Sequence, residues 1–172
     1  MTFLKNRPAR AGWLIVALSM LTTVAQASDP AFDKWADVLA AQEMRTEPES
    51  ATRTQYFTGD EQDALDRQLT PITKAYRAER LAFARRALAE LGRFDRDALS
   101  PQQRVSARMI EWHMQQVLRS EPFEDHRFVF DQFRGLHVRL VQFLSQIHPI
   151  RTKRDAENYL ARLGQVAGLI DE

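Results

Sequence analysis

The chain has 172 residues, of which 44% are hydrophobic and 27% charged, with 24 lysines and arginines against 23 aspartates and glutamates. This length and composition are typical of one folded domain and not of a disordered or fibrous chain. The balanced charge excludes the basic surface that nucleic-acid binding needs, and the absence of cysteine excludes disulfides, thiolate metal sites and a cysteine nucleophile.

The N-terminal segment has the three parts of a secretory signal peptide. Three basic residues precede an apolar run from Trp13 to Val24, and small residues follow at the −3 and −1 positions of Ala25-Gln26-Ala27. We predict cleavage between Ala27 and Ser28, and a periplasmic or secreted mature chain of residues 28–172. The alternative is a retained anchor, although the run is shorter than the about 20 apolar residues that span a bilayer. Cleavage leaves 21 basic and 23 acidic residues, a net charge of −2.

The mature chain is predicted to be all-α, a helical array of about five to six helices. Asp29-Pro30 opens the first helix with a capping side chain and a proline in the first turn. Glu47-Pro48 ends it, because the residue before a proline avoids the α region. From Pro48 to Leu69 the pattern is weaker, with a turn at Gly59-Asp60 and a short helix over residues 60–69.

Four further helices are predicted from the spacing of apolar residues and from their caps. Two of them open at capping boxes, one at Ser100 and one at Thr152. Their predicted spans are 70–92, 100–121, 136–147 and 152–170.

Two of these helices carry apolar stripes that are expected to face the core. The stripe of the helix after Ser100 consists of Val105, Met109, Trp112, His113 and Val117. The final helix has the cleanest amphipathic pattern of the chain, with a stripe that consists of Ala156, Tyr159, Leu160, Leu163, Val166, Ala167 and Ile170. Both stripes are therefore predicted to be buried.

The residues that support hydrolytic or metal chemistry are scattered. The four histidines are His113, His126, His137 and His148. No two of them lie three or four residues apart, so no helix presents a paired imidazole site for zinc, and the H-E-x-x-H pattern is absent. The sequence also lacks the G-x-S-x-G turn of serine hydrolases and a glycine-rich phosphate loop. We predict no catalytic, cofactor-binding or metal-ligating residue in this chain.

Arginines are concentrated on the helix predicted over residues 70–92. They are Arg77, Arg80, Arg85, Arg86 and Arg93. They could form an anion-binding face, but Glu79 and Glu90 lie among them. A solvated surface of mixed charge is the more ordinary arrangement.

Four phenylalanines fall between Phe123 and Phe133. A groove for an extended peptide is one interpretation, with Phe128, Phe130, Phe133, Arg134 and His137 as its candidate residues. The alternative is that the phenylalanines fill the gap between helices as core, which is the commoner role of this residue.

This stretch is one of several segments that together resemble a known protein family. They are Asp125 to His137, Leu140, Phe143-Leu144, His148-Pro149 and Asn158 to Leu163, joined by Pro48 to Thr52 and Leu99 to Pro101. These segments resemble the N-terminal part of DUF885, a bacterial family of exported proteins of unknown function. The resemblance implies relatives that are largely helical, several times longer than this chain, and similar to zinc metallopeptidases of the H-E-x-x-H type.

The resemblance implies that the zinc ligands and general base of the family lie downstream of the matching segments. No residue of this chain corresponds to them, so zinc is expected only in a full-length relative. The helix that reaches Ile170 also ends in two acidic residues, which oppose the helix dipole. We expect the N-terminal portion of a longer protein, whose partner is a peptide or the missing C-terminal part. The alternative is a complete small periplasmic binding module.

Overall fold

The computed structural model describes residues 28–126, 128 and 130–171. Every regular element in these residues is helical, which confirms the predicted all-α class. The predicted signal peptide, including Ala27, lies outside the described residues. Ser28 is exposed, and its hydroxyl donates a hydrogen bond to the Asp33 carboxylate at 2.6 Å. None of the described helices is long and apolar enough to span a membrane.

The helices are α1 (Pro30–Thr46), α2 (Pro48–Thr54), α3 (Gly59–Asp66), α4 (Lys74–Leu91), α5 (Pro101–Ser120), α6 (Leu136–Gln142), α7 (Lys153–Leu163) and α8 (Val166–Ile170). A 3-10 turn follows α5 at Glu121–His126, and a π turn follows α6 at Phe143–Ile147. The observed helices outnumber the predicted ones for two reasons. The short helix α2 was not predicted, and the predicted final helix is interrupted at Gly164, which separates α7 from α8.

The helix caps follow the sequence closely. Asp29 accepts hydrogen bonds from the first backbone N–H groups of α1, and the capping boxes predicted at Ser100 and Thr152 are both present. The predicted start of α4 at Thr70 is wrong. The helix begins at Lys74 because the Thr73 hydroxyl accepts a hydrogen bond from the Tyr76 N–H at 3.0 Å and caps the helix there.

Most buried apolar side chains belong to two groups, and Ala51, Leu65 and Phe143 are buried outside them. Those between α1, α4 and α5 are Phe32, Leu39, Ala84, Ala87, Leu91, Leu99, Ala107 and Met114. Those at the junction of α6, α8 and the chain after α3 are Leu69, Leu136, Leu140 and Leu169. The alanines allow α4 and α5 to approach closely, and these two helices make the most extensive helix–helix contact of the described chain.

The predicted burial of the α5 stripe is wrong for three of its five residues, although Val117 is partly buried against the core. Met109 and Trp112 of the expected stripe are 66% and 63% exposed, and Val105 is exposed beside them. The buried side chains of α5 are those of Gln103, Ala107 and Met114. Ala107 lies in the core because its small side chain fits against α4, so close packing and not apolar surface area sets the rotation of this helix.

The predicted burial of the final stripe is wrong for its leucines and Ile170, although Val166 is partly buried against the core. Leu160 and Leu163 are 65% and 46% exposed, and Ile170 of α8 is also exposed. The fully buried side chains of α7 are Asn158 and Arg162. Arg162, and not the leucines, faces the interior because the hydrogen-bonding partners of its guanidinium lie there.

Candidate functional site

The Arg162 guanidinium lies at the centre of a buried polar network. Its Nε donates to the carbonyl oxygen of Gln68 at 2.7 Å, and its Nη2 donates to the carbonyl oxygen of Leu65 at 2.9 Å. Nη2 also donates to Thr52 Oγ1 at 2.8 Å, and Nη1 donates to His148 Nδ1 at 2.7 Å. Four acceptors from three parts of the chain (α2, the end of α3 and the residue after the π turn) therefore converge on one cation.

An acidic residue lies behind Thr52 in this network. The Thr52 hydroxyl accepts from Arg162, which is always a donor, and donates to Asp66 Oδ1 at 2.5 Å. Gln62 donates to the same oxygen at 2.8 Å. Burial lowers the pKa of Arg162 to about 10, while the charges of Asp66 and Glu49 oppose that fall. Arg162 therefore stays charged at neutral pH, and its charge is balanced by Asp66 through the threonine hydroxyl.

His148 is held in one neutral form by the same network. Its Nδ1 accepts from Arg162, so the ring proton lies on Nε2, which donates to the carbonyl oxygen of Asp155 at 3.2 Å. Burial is the main reason that its pKa lies below the ordinary value, and the nearby Arg162 charge adds to the effect. Both ring nitrogens are engaged, so the structural role of His148 leaves no nitrogen for a metal ion.

The network connects α2, the end of α3, the π turn and α7. The guanidinium also lies 4.7 Å from the ring centroid of Phe143, the first residue of the π turn. No motif in the sequence indicated that these residues form a site. The available signal was the spacing of Asn158 and Arg162, which are four residues apart and therefore share a face of α7.

The aromatic segment, defined as Phe123, Phe128, Phe130 and Phe133, lies at the surface. Phe128 and Phe133 are 85% and 77% exposed, and the other two are also exposed. These side chains therefore do not fill the gap between the helices, and that interpretation is wrong. Arg134 and His137, the other candidate groove residues, are exposed too.

A specific turn presents the end of this segment. Asp131 Oδ1 accepts from the backbone N–H groups of Phe133 and Arg134 at 2.8 and 2.7 Å, and these bonds lower the pKa of Asp131. A Cβ atom on Gly135 would lie 2.5 Å from the backbone nitrogen of Asp131, so the turn requires glycine. The Phe130 and His137 rings lie 5.5 Å apart. The structure thus brings two of the five candidate groove residues together, and the groove itself stays a prediction.

The other histidines have separate partners. His113 Nε2 lies 2.7 Å from Glu43 Oε1, which joins α5 to α1, and the exposed His126 ring lies near Phe123. Within residues 28–126, 128 and 130–171, no group of three or more histidine, aspartate or glutamate side chains could hold a metal ion.

The arginines of α4 form a surface of mixed charge. Arg80 pairs with Glu47 at 2.9 Å, and Arg85 pairs with Glu121 at 3.1 Å. Arg77 donates to the carbonyl oxygen of Ile72. These three contacts favour the solvated arrangement over a continuous anion-binding face.

Residues 48–172 match the family model described as a bacterial protein of unknown function, DUF885. The chain belongs to this family. No curated protein and no solved structure matches it. The part of the chain that matches DUF885 begins at α2 and therefore contains every residue of the Arg162 network and the whole aromatic segment.

Proposed function

We propose that this DUF885 chain is the N-terminal helical portion of an exported protein that resembles zinc metallopeptidases. In this role it has no catalytic residue of its own and packs against a C-terminal part of the longer protein. The outward orientation of the α7 leucines is the observation that carries the proposal. Export follows from the predicted signal peptide, and the site of action is the periplasm or the exterior of the cell.

The α7 leucines cannot turn inward without breaking the Arg162 network. The four hydrogen bonds of Arg162 fix the rotation of the helix, and Leu160 and Leu163 lie on its other side. An exposed leucine gains about 1.5–3 kcal/mol when it is fully buried. A second protein surface on this stripe would therefore gain stability that the chain alone leaves unused.

Two further apolar surfaces support the same role. The exposed stripe of α5 consists of Val105, Met109 and Trp112, and the aromatic segment follows that helix along the chain. Soluble monomers rarely expose contiguous apolar patches of more than a few hundred Å² unless the patch binds a partner. A packing role explains all three surfaces at once.

The placement of the histidines supports a scaffold and not a catalytic centre. His148 uses both ring nitrogens within the network, and His113 pairs with Glu43. His126 and His137 lie in or beside the aromatic segment and contact phenylalanine rings. In the proposed arrangement, any catalytic zinc is bound by the C-terminal part, as the resemblance to metallopeptidases implies.

The test begins with the DNA that follows the codon for Glu172, translated in all frames. If a continuation encodes H-E-x-x-H, that segment is produced and mixed with the chain. We expect a complex in analytical ultracentrifugation that Leu160→Gln/Leu163→Gln weakens at least about tenfold. Val141→Gln, which changes an exposed apolar residue of α6, is the matched control. A stop with no continuation and a monomeric chain that binds no apolar dye would overturn the proposal, as would zinc-dependent peptide hydrolysis by the chain alone.

The second candidate is a complete periplasmic binding module that uses the aromatic segment. The turn at Asp131 favours it, because a turn that is fixed by two hydrogen bonds presents Phe133 in a defined position. In this case Phe128→Ser/Phe133→Ser abolishes capture of extended peptides from a display library, while Leu160→Gln/Leu163→Gln has no effect. The reverse pattern rejects the module.

A further inference from the structure

We propose that the cavity between α1, α4 and α5 binds a small zwitterion with an apolar side chain, such as an aliphatic amino acid. The cavity has a volume of about 240 Å³. Typical ligand pockets hold about 300–1,000 Å³, so this one admits only a small molecule. The proposal is independent of the scaffold role, because the cavity lies apart from the α7 stripe.

Tyr76 contributes a buried hydroxyl to the cavity. Tyr76 lines the cavity, and its Oη is buried without a hydrogen-bond partner in the described residues. Thr46 and Arg80 lie close by, but neither meets the geometry of a hydrogen bond to it. Burial and the charge of Glu47 raise the pKa of Tyr76, so the hydroxyl keeps its proton and is a donor. An unsatisfied buried hydroxyl is uncommon in a folded protein, and a ligand oxygen in the cavity would accept its hydrogen bond.

The charges that line the cavity divide into two sets. Arg80 is neutralised by Glu47 at 2.9 Å, and Glu43 is bound to His113 at 2.7 Å. Glu79 and Arg86 also line the cavity as exposed residues, and no ion pair or side-chain hydrogen bond joins either of them to another described residue. One unpaired acid and one unpaired base thus remain available to a ligand.

These two side chains are placed to hold opposite charges of one molecule. Glu79 and Arg86 are seven residues apart on α4, which is two helical turns or about 10 Å along the axis. Both side chains line the same cavity, so one ligand in it could contact both. In the bound state an ammonium group contacts Glu79, a carboxylate contacts Arg86, and the Tyr76 hydroxyl donates to a ligand oxygen.

The remaining wall of the cavity is apolar. Phe83 of α4 and Met114 and Val117 of α5 line it. An aliphatic side chain would bury its surface there, which favours leucine or valine over glycine by the hydrophobic effect. The ligand therefore needs three features at once: a cation, an anion and an apolar group.

The test uses the protein expressed from its full gene and L-leucine as the probe, with binding followed by ¹H–¹⁵N NMR and calorimetry. Leucinamide lacks the carboxylate, N-acetylleucine lacks the ammonium, and glycine lacks the apolar group. We expect each of the three to bind at least about tenfold more weakly than leucine. The shifted resonances should lie in α4 and α5 around Tyr76 and Phe83.

Variants localise the site. Arg86→Gln, Glu79→Gln and Tyr76→Phe are each expected to weaken leucine binding, the first two at least about tenfold. Arg93→Gln changes an exposed arginine beyond the end of α4 and outside the cavity, and it should leave binding unchanged. The proposal is overturned if leucine does not bind, if leucinamide or N-acetylleucine binds equally well, or if Arg93→Gln has the same effect as Arg86→Gln.

Discussion

Replacement of Arg162 by methionine is the sharpest test of the structure. Methionine keeps most of the length of the side chain and removes its charge and all of its donors. The substitution removes the donor from four interior acceptors, on Gln68, Leu65, Thr52 and His148, of which the Leu65 carbonyl still accepts from the Gln68 N–H. It also leaves the Asp66 carboxylate without its balancing cation.

The expected loss of stability is large for one residue. Each buried polar group left without a partner costs about 1–3 kcal/mol, and removal of one member of a buried charge pair costs about 3–5 kcal/mol. These costs overlap, because water can enter and the acceptors can relax. We expect Arg162→Met to lower the free energy of unfolding by about 4–6 kcal/mol, against a total of about 5–15 kcal/mol for an ordinary domain.

Urea unfolding followed by circular dichroism measures this loss. The slope of the free energy against urea concentration should stay constant while the midpoint falls. Arg154→Met is the matched control on the same helix, because Arg154 is exposed and its contact with Asp63 spans 3.8 Å. An exposed pair of this kind contributes about 0–1 kcal/mol.

Arg162→Lys separates charge from geometry and guards against a variant that does not fold. Lysine keeps the cation but cannot reach four acceptors with the planar arrangement of a guanidinium. It should recover part of the loss. If Arg162→Met is no more destabilised than Arg154→Met, the network does not fix α7, and the reason for the outward leucines is lost.

Three other predictions follow from single contacts. Burial depresses the pKa of His148 below 6.5, so the protein should have its full stability above pH 6.5 and lose stability as the pH drops through the folded-state pKa. In His148→Gln, the urea midpoints at pH 7.5 and pH 5.0 should differ less than in the parent protein. An equal difference would contradict this prediction. Gly135→Ala should lower the thermal midpoint, at a cost of about 1–3 kcal/mol, because its Cβ would meet Asp131 at 2.5 Å; an unchanged midpoint would show that the turn is not as described. In residues 28–172, which lack Trp13, iodide should quench the exposed Trp112 far more than Trp35, whose indole N–H donates to Glu90. Trp112→Phe should then remove the quenchable fluorescence, and quenching that persists in that variant would place Trp35 at the surface.

The sequence predicted what depends on neighbouring residues. The caps at Asp29, Ser100 and Thr152 are local devices, in which a side chain reaches a backbone N–H two or three residues away. They could be read without knowledge of the fold. The predicted start of α4 is wrong because the Thr73 hydroxyl caps the helix, whereas the Thr70 hydroxyl accepts a hydrogen bond from the distant Glu49 N–H.

The sequence could not predict which face of a helix is buried when the competing partners come from distant residues. The leucines of α7 form the clearest pattern in its sequence, yet Arg162 is the buried residue. It is buried because the carbonyl oxygens of Leu65 and Gln68, at the end of α3, lie within hydrogen-bonding distance of its guanidinium. No periodicity contains that information. In α5, the buried position of Ala107 depends on how closely α4 approaches.

The candidate groove has one feature that depends on neighbouring residues and one that depends on the whole fold. The turn depends on residues that are close in sequence. The Gly135 N–H donates to the Asp131 carbonyl oxygen, and the close approach of the two backbones leaves no room for a Cβ atom on residue 135. Exposure of the phenylalanines is a property of the whole chain, and the usual preference of phenylalanine for the interior gave the wrong expectation for them.

The π turn at Phe143–Ile147 works as a spacer of one residue. The backbone N–H of His148 donates to the carbonyl oxygen of Phe143 at 2.9 Å, five residues earlier rather than four. Deleting one residue inside the turn would restore an ordinary α-helix and rotate all that follows by about 100°. The His148 imidazole would then move away from Arg162 while the Phe143 ring stayed beside it. The length of this turn therefore decides whether both side chains contact the same guanidinium.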